Sequence, residues 1–156
     1  MPATRIELLQ GMPIFGAIRE DTLQYLLVQT RSVSVRAQEF FFREGDQAGS
    51  MFVLESGRVM VFKEWRGQLL LRSQFGRGDC FGEMALLDLL PRSASVQAID
   101  DCSALELTPD DLYRLFKRDA EQFVLIQMNL GRELSRRLRA TDELLFRAEM
   151  AAAQGS

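Results

Sequence analysis

The sequence predicts an α+β fold, an antiparallel β-roll or jelly-roll barrel with helices at both ends and one short helix inserted among the strands. Three observations predict it. Between residues 32 and 108 several short runs alternate apolar and polar residues with a period of two. Turn-forming segments such as EGDQAG and GRGD separate these runs, and leucine-rich segments at helical spacing precede and follow them. Short strands at such regular spacing are typical of a barrel or roll.

The elements follow in order along the chain. Two short helices are expected at 5–9 and 20–29, separated by the Gly/Pro break GMPIFG. The strand runs are SVSVRAQEFFF, MFVLESGRVMVFKEW, GQLLLRSQF, SASVQAID and CSALELT. The run FGEMALLDLLPR interrupts them with a helix-like segment that Pro91 closes. After the capping signal of Thr108 and Asp111, the rest of the chain has a helical pattern.

These elements predict one domain over residues 5–148. Its β-roll spans about 32–108, its C-terminal helices span about 109–148, and a flexible tail follows at 149–156. A chain of 156 residues, 47% of them hydrophobic, suits a single core.

Composition narrows the classes of function. A net charge of only -3 gives no bulk attraction to DNA or to an anionic membrane. No apolar run approaches the roughly 18 residues of a membrane helix, and the N-terminus lacks a secretion signal, so we expect a cytoplasmic protein. Cys80 and Cys102 fit small core residues better than a metal cluster or a disulfide. The chain has no histidine, which argues against a metal site and against an enzyme.

The segment FGEMALLDLLPRSASV, residues 81–96, carries the chemistry. A helix that begins near Gly82 exposes unpaired backbone amides, which together with the helix dipole favour an anion. Ala85 and Leu86 are the expected amide donors. Arg92 offers a planar fork of donors to phosphate oxygens, and Ser93 adds a hydroxyl. The segment therefore predicts a cradle for one phosphate.

Glu83 is an unexpected neighbour for that phosphate, since two negative charges repel. It is compatible with the cradle if it accepts hydrogen bonds from hydroxyls of the same ligand, and a ribose next to a phosphate provides them. The alternative is a Glu83–Arg92 salt bridge that stitches a surface loop together.

The segment resembles the phosphate-binding cassette of the cyclic nucleotide-binding domain family, which includes the catabolite activator protein and protein kinase regulatory subunits. The matching residues are FGEMAL at 81–86 and PRSASV at 91–96. The resemblance implies that Glu83 binds the ribose 2′-hydroxyl, that Arg92 binds the cyclic phosphate, and that the backbone of Gly82, Ala85 and Leu86 caps it. Ser93 is compatible with both cAMP and cGMP, of which cAMP is expected first. The resemblance implies a bound ligand but no cofactor.

The terminal helix carries a stripe of residues at coiled-coil spacing: Leu134, Leu138, Thr141, Leu145 and Ala148. Either this stripe lies on the roll as core, or it forms the seam of a homodimer. In the second case the resemblance places Thr141 against the base of the ligand. Another register of the same helix makes Arg137 or Leu138 the base contact.

The chain ends soon after this helix, so the sequence predicts a stand-alone receptor module without a DNA-binding domain. It would change conformation when a cyclic nucleotide binds and signal through an unidentified partner protein. Two alternatives are a ligand-independent interaction scaffold with a vestigial site, and a cupin-like barrel enzyme, which the lack of histidine disfavours.

Overall fold

Eight strands form two four-stranded antiparallel sheets in the computed structural model, which describes residues 4–88 and 90–155. The first sheet has the order β1-β8-β3-β6 and the second the order β2-β7-β4-β5. The strands are β1 Arg31–Val35, β2 Phe40–Phe42, β3 Met51–Ser56, β4 Val59–Trp65, β5 Gln68–Phe75, β6 Cys80–Phe81, β7 Ser95–Ala98 and β8 Cys102–Leu107. The predicted α+β fold with an antiparallel roll is confirmed. Within the described residues no strand pairing joins the two sheets, so the roll is not a closed barrel.

The helices flank the roll as predicted. They are α1 Arg5–Gln10, α2 Glu20–Gln29, α3 Pro109–Arg118 and α4 Ala120–Gln154, with single 3-10 turns at Pro13–Phe15 and Glu83–Leu86. The capping signal before α3 is confirmed, because the Thr108 hydroxyl accepts from the Asp111 amide and the Asp111 carboxylate accepts from the Thr108 amide. No helix among the described residues is both long enough and apolar enough to cross a bilayer.

The helix predicted inside the cassette is a 3-10 turn of only four residues, Glu83–Leu86. It begins after Gly82, whose φ of 77° is left-handed, and Pro91 follows a few residues later. A helix confined between a left-handed glycine and a proline has no room for several α-helical turns, and 3-10 geometry suits such short pieces.

Two apolar cores hold the molecule together. One lies inside the roll, where Phe52 and Phe81 stack at 5.5 Å between ring centroids and Phe41 packs edge-on to both. The other lies between the first sheet and the helices, and its fully buried side chains include Leu23, Leu115, Ile126 and Leu130. The second core fixes the helices to the roll and thereby places α4 beside the cassette.

The first half of α4 is anchored and its second half is exposed. Ile126 and Leu130 are buried, and the Asn129 side-chain amide donates to the carbonyl oxygens of Ile14 and Gly16 at 3.2 and 2.8 Å. Every residue from 138 to 155 is exposed. Core packing of the predicted stripe is therefore wrong beyond Leu134, which is half-buried.

Most of the flexible tail predicted at 149–156 lies within α4, and its flexibility stays a prediction. Within the described residues α4 continues without a break to Gln154, since the alanine-rich end has high helix propensity. Ser156 lies outside the described residues.

Candidate functional site

A cavity of about 330 Å³ opens between the second sheet, the cassette turn and α4. Its size lies within the usual range of small-molecule pockets. Phe42, Val61, Phe75 and Phe81 supply much of its apolar wall. The charged and hydroxyl side chains that line it are Ser73, Glu83, Asp88, Arg92, Ser93 and Arg137.

Gly82 turns the chain from β6 into the cassette. Its φ of 77° is one that L side chains rarely adopt, and a Cβ here would lie 2.7 Å from Arg92 Nη1 and 3.3 Å from the Ser50 carbonyl oxygen. Glycine is thus required both by the backbone conformation and by the close approach of Arg92. The turn that follows buries Glu83 and Ala85.

Arg92 is a buried cation at the floor of this cavity. It is only 9% exposed; Nη2 donates to the Ser50 carbonyl at 2.7 Å, Nη1 to the Gly82 carbonyl at 3.3 Å, and the guanidinium carbon lies 3.9 Å from the centre of the Phe42 ring. Its Nε is buried without a hydrogen-bond partner. Desolvation lowers the pKa of Arg92, against the opposing influence of Glu106, Asp46 and Glu83. Within the described residues no carboxylate forms an ion pair with Arg92, so its charge is available to an anion in the cavity.

Glu83 faces the same cavity but contacts a different cation. Its Oε1 accepts a short hydrogen bond from Arg137 Nη1, and the Arg137 Nε lies 3.3 Å from Glu133 Oε1 on the preceding turn of α4. The Glu83–Arg92 salt bridge considered from the sequence is not formed. Glu83 therefore connects the cassette to α4, whereas Arg92 contacts the backbone of the roll.

The remaining predicted residues are divided between the cavity and its surroundings. Ser93 lines the cavity. Ala85 also lines it, but the Ala85 amide donates to the Gly82 carbonyl at 3.1 Å, so in this structure that amide is not available to a ligand. Leu86 points away from the cavity into an apolar pocket with Phe116 and Phe123.

Thr141 lies outside the cavity lining. It is exposed, and its hydroxyl donates to the Arg137 carbonyl at 2.9 Å, one turn earlier in α4. Of the two residues in the alternative register, Leu138 is exposed whereas Arg137 lines the cavity. The helical pattern alone did not distinguish these registers, because it does not reveal where α4 crosses the roll.

Sequence reasoning missed the groups that hold Arg92. The Ser50 carbonyl is a backbone atom with no sequence signal. Phe42 stands in the run FFF, but the register of β2 is irregular there and the rings of both Phe41 and Phe42 contact Phe52 and Phe81, so alternation along the strand did not single out Phe42.

The buried guanidinium of Arg92 gives the cavity a cation that suits an anionic ligand. No group of three or more His, Cys, Asp or Glu among them is arranged to hold a metal. Cys80 and Cys102 are buried, as expected from the sequence. Burial raises the pKa of the Cys80 thiol to about 11, so this thiol is protonated at neutral pH.

Comparison with known proteins agrees with this geometry. A family model described as the cyclic nucleotide-binding domain matches residues 32–119. The cyclic AMP receptor protein of Thermus thermophilus is 31% identical over 86% of this chain, and the chain spans 61% of that relative's length. A cyclic nucleotide-binding domain of Methylobacillus flagellatus superposes with a TM-score of 0.79 at 25% identity, over 90% of this chain and 80% of that one.

A third likeness is to the regulatory domain of Toxoplasma gondii PKA, crystallised with cAMP. Its TM-score is 0.66 at 27% identity, covering 70% of this chain and 42% of that one. The family model extends over more than half of the sequence and includes the whole cassette, from Gly82 to Ser93. On these grounds the chain belongs to the cyclic nucleotide-binding domain family.

Proposed function

We propose that this chain is a receptor module for a purine 3′,5′-cyclic nucleotide, with cAMP as the first ligand and cGMP as the second. One observation carries the proposal. Arg92 is a buried cation at the wall of a cavity of suitable size, and among the described residues its Nε has no hydrogen-bond acceptor and no carboxylate pairs with it. A buried charge without a partner is unfavourable, and an anionic ligand relieves that cost.

The second half of the proposal rests on Glu83. It lines the same cavity as Arg92, and its carboxylate accepts hydrogen bonds only. A ribose 2′-hydroxyl next to a cyclic phosphodiester matches an acceptor and a cation in one cavity. The apolar walls, among them Val61 and Phe75, suit the faces of a purine.

The choice of cAMP over cGMP rests on the relatives. One is named a cyclic AMP receptor protein, and another was crystallised with cAMP. Ser93 lines the cavity and is compatible with either base.

The direct test is calorimetric titration of the chain with cAMP, cGMP and 5′-AMP. We expect saturable binding of the cyclic nucleotides and much weaker binding of 5′-AMP, because an open, doubly charged phosphate does not fit beside Glu83. Absence of binding by both cyclic nucleotides, together with an unchanged melting temperature in their presence, would reject the proposal.

Ligand binding is proposed to move the cassette. Leu86 already faces an apolar pocket of about 300 Å³ that Phe116 and Phe123 line, so a shift of the turn has space in which Leu86 can repack. In the proposed bound state α4 closes over the base and presents a changed surface to a partner protein. Only a difference in affinity between the two states drives such a shift. The measurement is amide exchange in α4, which we expect to slow at saturating cyclic nucleotide; equal exchange in both states would contradict the movement.

A homodimer through α4 is the proposed use of its exposed half. Leu138 and Leu145 are exposed on the predicted stripe, and Thr141 lies between them. In a two-fold pair this stripe would be buried and Thr141 would stand at the seam. Sedimentation at several concentrations, with and without ligand, tests this: a monomer throughout would contradict it.

A further inference from the structure

The glutamate assigned to the ribose is already occupied by a cation of the chain itself. Arg137 reaches from α4 to the Glu83 carboxylate and lines the same cavity. We propose that Arg137 is an internal competitor for the ribose site, so that ligand entry releases Arg137 from Glu83 and this release sets the affinity for the cyclic nucleotide. The inference rests on the proposed function and adds a regulatory contact to the same site.

Burial strengthens the ion pair between Glu83 and Arg137. The Glu83 side chain is 8% exposed and that of Arg137 is 35% exposed, so the pair is only partly screened by water. A buried carboxylate without a partner is strongly unfavourable. In the ligand-free protein Arg137 supplies that partner, whereas hydroxyl donors of a ribose supply it in the bound state.

Arg137 lies at the point along α4 where its contact with Glu83 joins the helix to the cassette. From residue 138 to residue 155 every side chain of α4 is exposed. Arg137 is therefore the last partly buried residue of the helix, and its contact with Glu83 ties the point where α4 leaves the roll to the cassette turn. Loss of the contact lets α4 shift relative to the cassette at this point, as the proposed closure over the base requires.

Arg137 also has a second partner ready on its own helix. Glu133 Oε1 lies 3.3 Å from Arg137 Nε, one turn earlier. A released Arg137 keeps this carboxylate, which it shares with Arg136, so Arg137 still has an ion-pair partner after it leaves Glu83. The two arrangements thus differ by a modest free energy, as a ligand-driven exchange requires.

Release also makes room in the cavity. The Arg137 guanidinium carbon lies 6.0 Å from the centre of the Phe75 ring, and both residues line the cavity. A guanidinium that withdraws toward Glu133 leaves this part of the wall to the ligand.

The test compares Arg137→Gln with Arg139→Gln by titration with cAMP and cGMP. Arg139 is an exposed arginine on α4 that does not line the cavity, so its replacement removes the same charge without touching Glu83 or Glu133. We expect Arg137→Gln to bind both nucleotides about three- to tenfold more tightly than the wild type, as for loss of a partly exposed competing ion pair. Arg139→Gln should stay within about twofold of the wild type.

A second experiment tests, without ligand, whether the contact between Glu83 and Arg137 stabilises the free protein. Thermal unfolding of wild type, Glu83→Gln, Arg137→Gln and the double variant should show a favourable coupling between the two side chains. Zero coupling would mean that the contact does not stabilise the free state, and would overturn the inference.

The remaining outcomes separate the competitor role from the proposed function. Unchanged or weaker binding by Arg137→Gln would overturn the competitor role, and weaker binding of one nucleotide alone would identify Arg137 as a base contact; in both cases the proposed function stands. If the wild type binds neither nucleotide but Arg137→Gln does, the receptor function proposed for the wild type fails, whereas the competitor role stands because the contact then masks the site completely. If neither protein binds, both proposals fail.

Discussion

The two charged ends of the cavity are held in different ways. Arg92 is fixed by backbone carbonyls of the roll, those of Ser50 and Gly82, whereas Glu83 is neutralised by Arg137 from a helix outside the roll. Ser50 directly precedes β3 and Gly82 directly follows β6, so these strands hold the two carbonyl oxygens in place. A side chain on α4 moves with that helix. The proposed phosphate end is therefore preorganised, and the proposed ribose end depends on where α4 lies.

This difference suggests separate roles for the two ends: Arg92 contributes mainly to affinity for the ligand, and Glu83 mainly to the response of α4. A preorganised cation lowers the ordering cost of binding and so contributes to affinity in every state of the protein. In the proposed mechanism, a carboxylate that must first lose an internal partner contributes less to affinity, but the arrival of the ligand there changes the position of α4. Three substitutions break or sharpen this comparison.

The largest effect is expected at the phosphate end, for Arg92→Gln. Loss of charge-assisted bonds to the phosphodiester should weaken cAMP binding about a hundredfold or more. The melting temperature of the ligand-free protein should change little, because the substitution also removes the desolvation cost of a buried cation. Arg43→Gln, an exposed arginine at the end of β2, is the matched control. A collapse of stability in Arg92→Gln, with no nucleotide binding by the wild type, would assign Arg92 a structural role instead.

A smaller effect is expected at the ribose end, for Glu83→Gln. Binding of cAMP should weaken about tenfold, since one charged acceptor is lost while the competing contact with Arg137 disappears as well. The same variant should bind 2′-deoxy-cAMP no more weakly than the wild type does, because that ligand lacks the hydroxyl in question. Equal losses for both ligands in calorimetric titration would show that Glu83 does not hold the 2′-hydroxyl.

The smallest effect is expected where the two ends meet, for Gly82→Ala. Its control is Gly67→Ala, since Gly67 has a φ of 79° with nothing within 4 Å of a new Cβ, whereas a Cβ at Gly82 would press on Arg92 Nη1 at 2.7 Å. Each variant should lose about 1 kcal/mol of unfolding free energy from the left-handed backbone. Only Gly82→Ala should also weaken cAMP binding, by about three- to tenfold, as Arg92 is displaced. Equal affinities in the two variants would show that Arg92 tolerates the shift.

The cassette was predictable from the sequence because its chemistry is local. Gly82, Glu83 and Arg92 lie within eleven consecutive residues, and a carboxylate and a guanidinium so close together in an apolar segment indicate one small ligand. The strands and the cap of α3 were predictable for a similar reason, since alternation and a capping box are read within a few residues.

The parts that the sequence misjudged depend on longer-range packing. The cassette helix shortens to a 3-10 turn because the chain must return to β7 soon after Pro91. Longer-range packing also places Thr141 on the exposed part of α4, so its contact with a ligand depends on the dimer seam and stays a prediction.

By itself the sequence determined which chemical groups the cassette carries and that an antiparallel roll presents them, because period-two patterning, turn residues and caps act over short distances. Only the tertiary structure decided that Arg137 meets Glu83. Successive residues of a helix point about 100° apart, so the side chain that faces the cassette depends on the crossing of α4 over the roll. That crossing is fixed by the burial of Ile126 and Leu130 and by the Asn129 hydrogen bonds to the segment between α1 and α2.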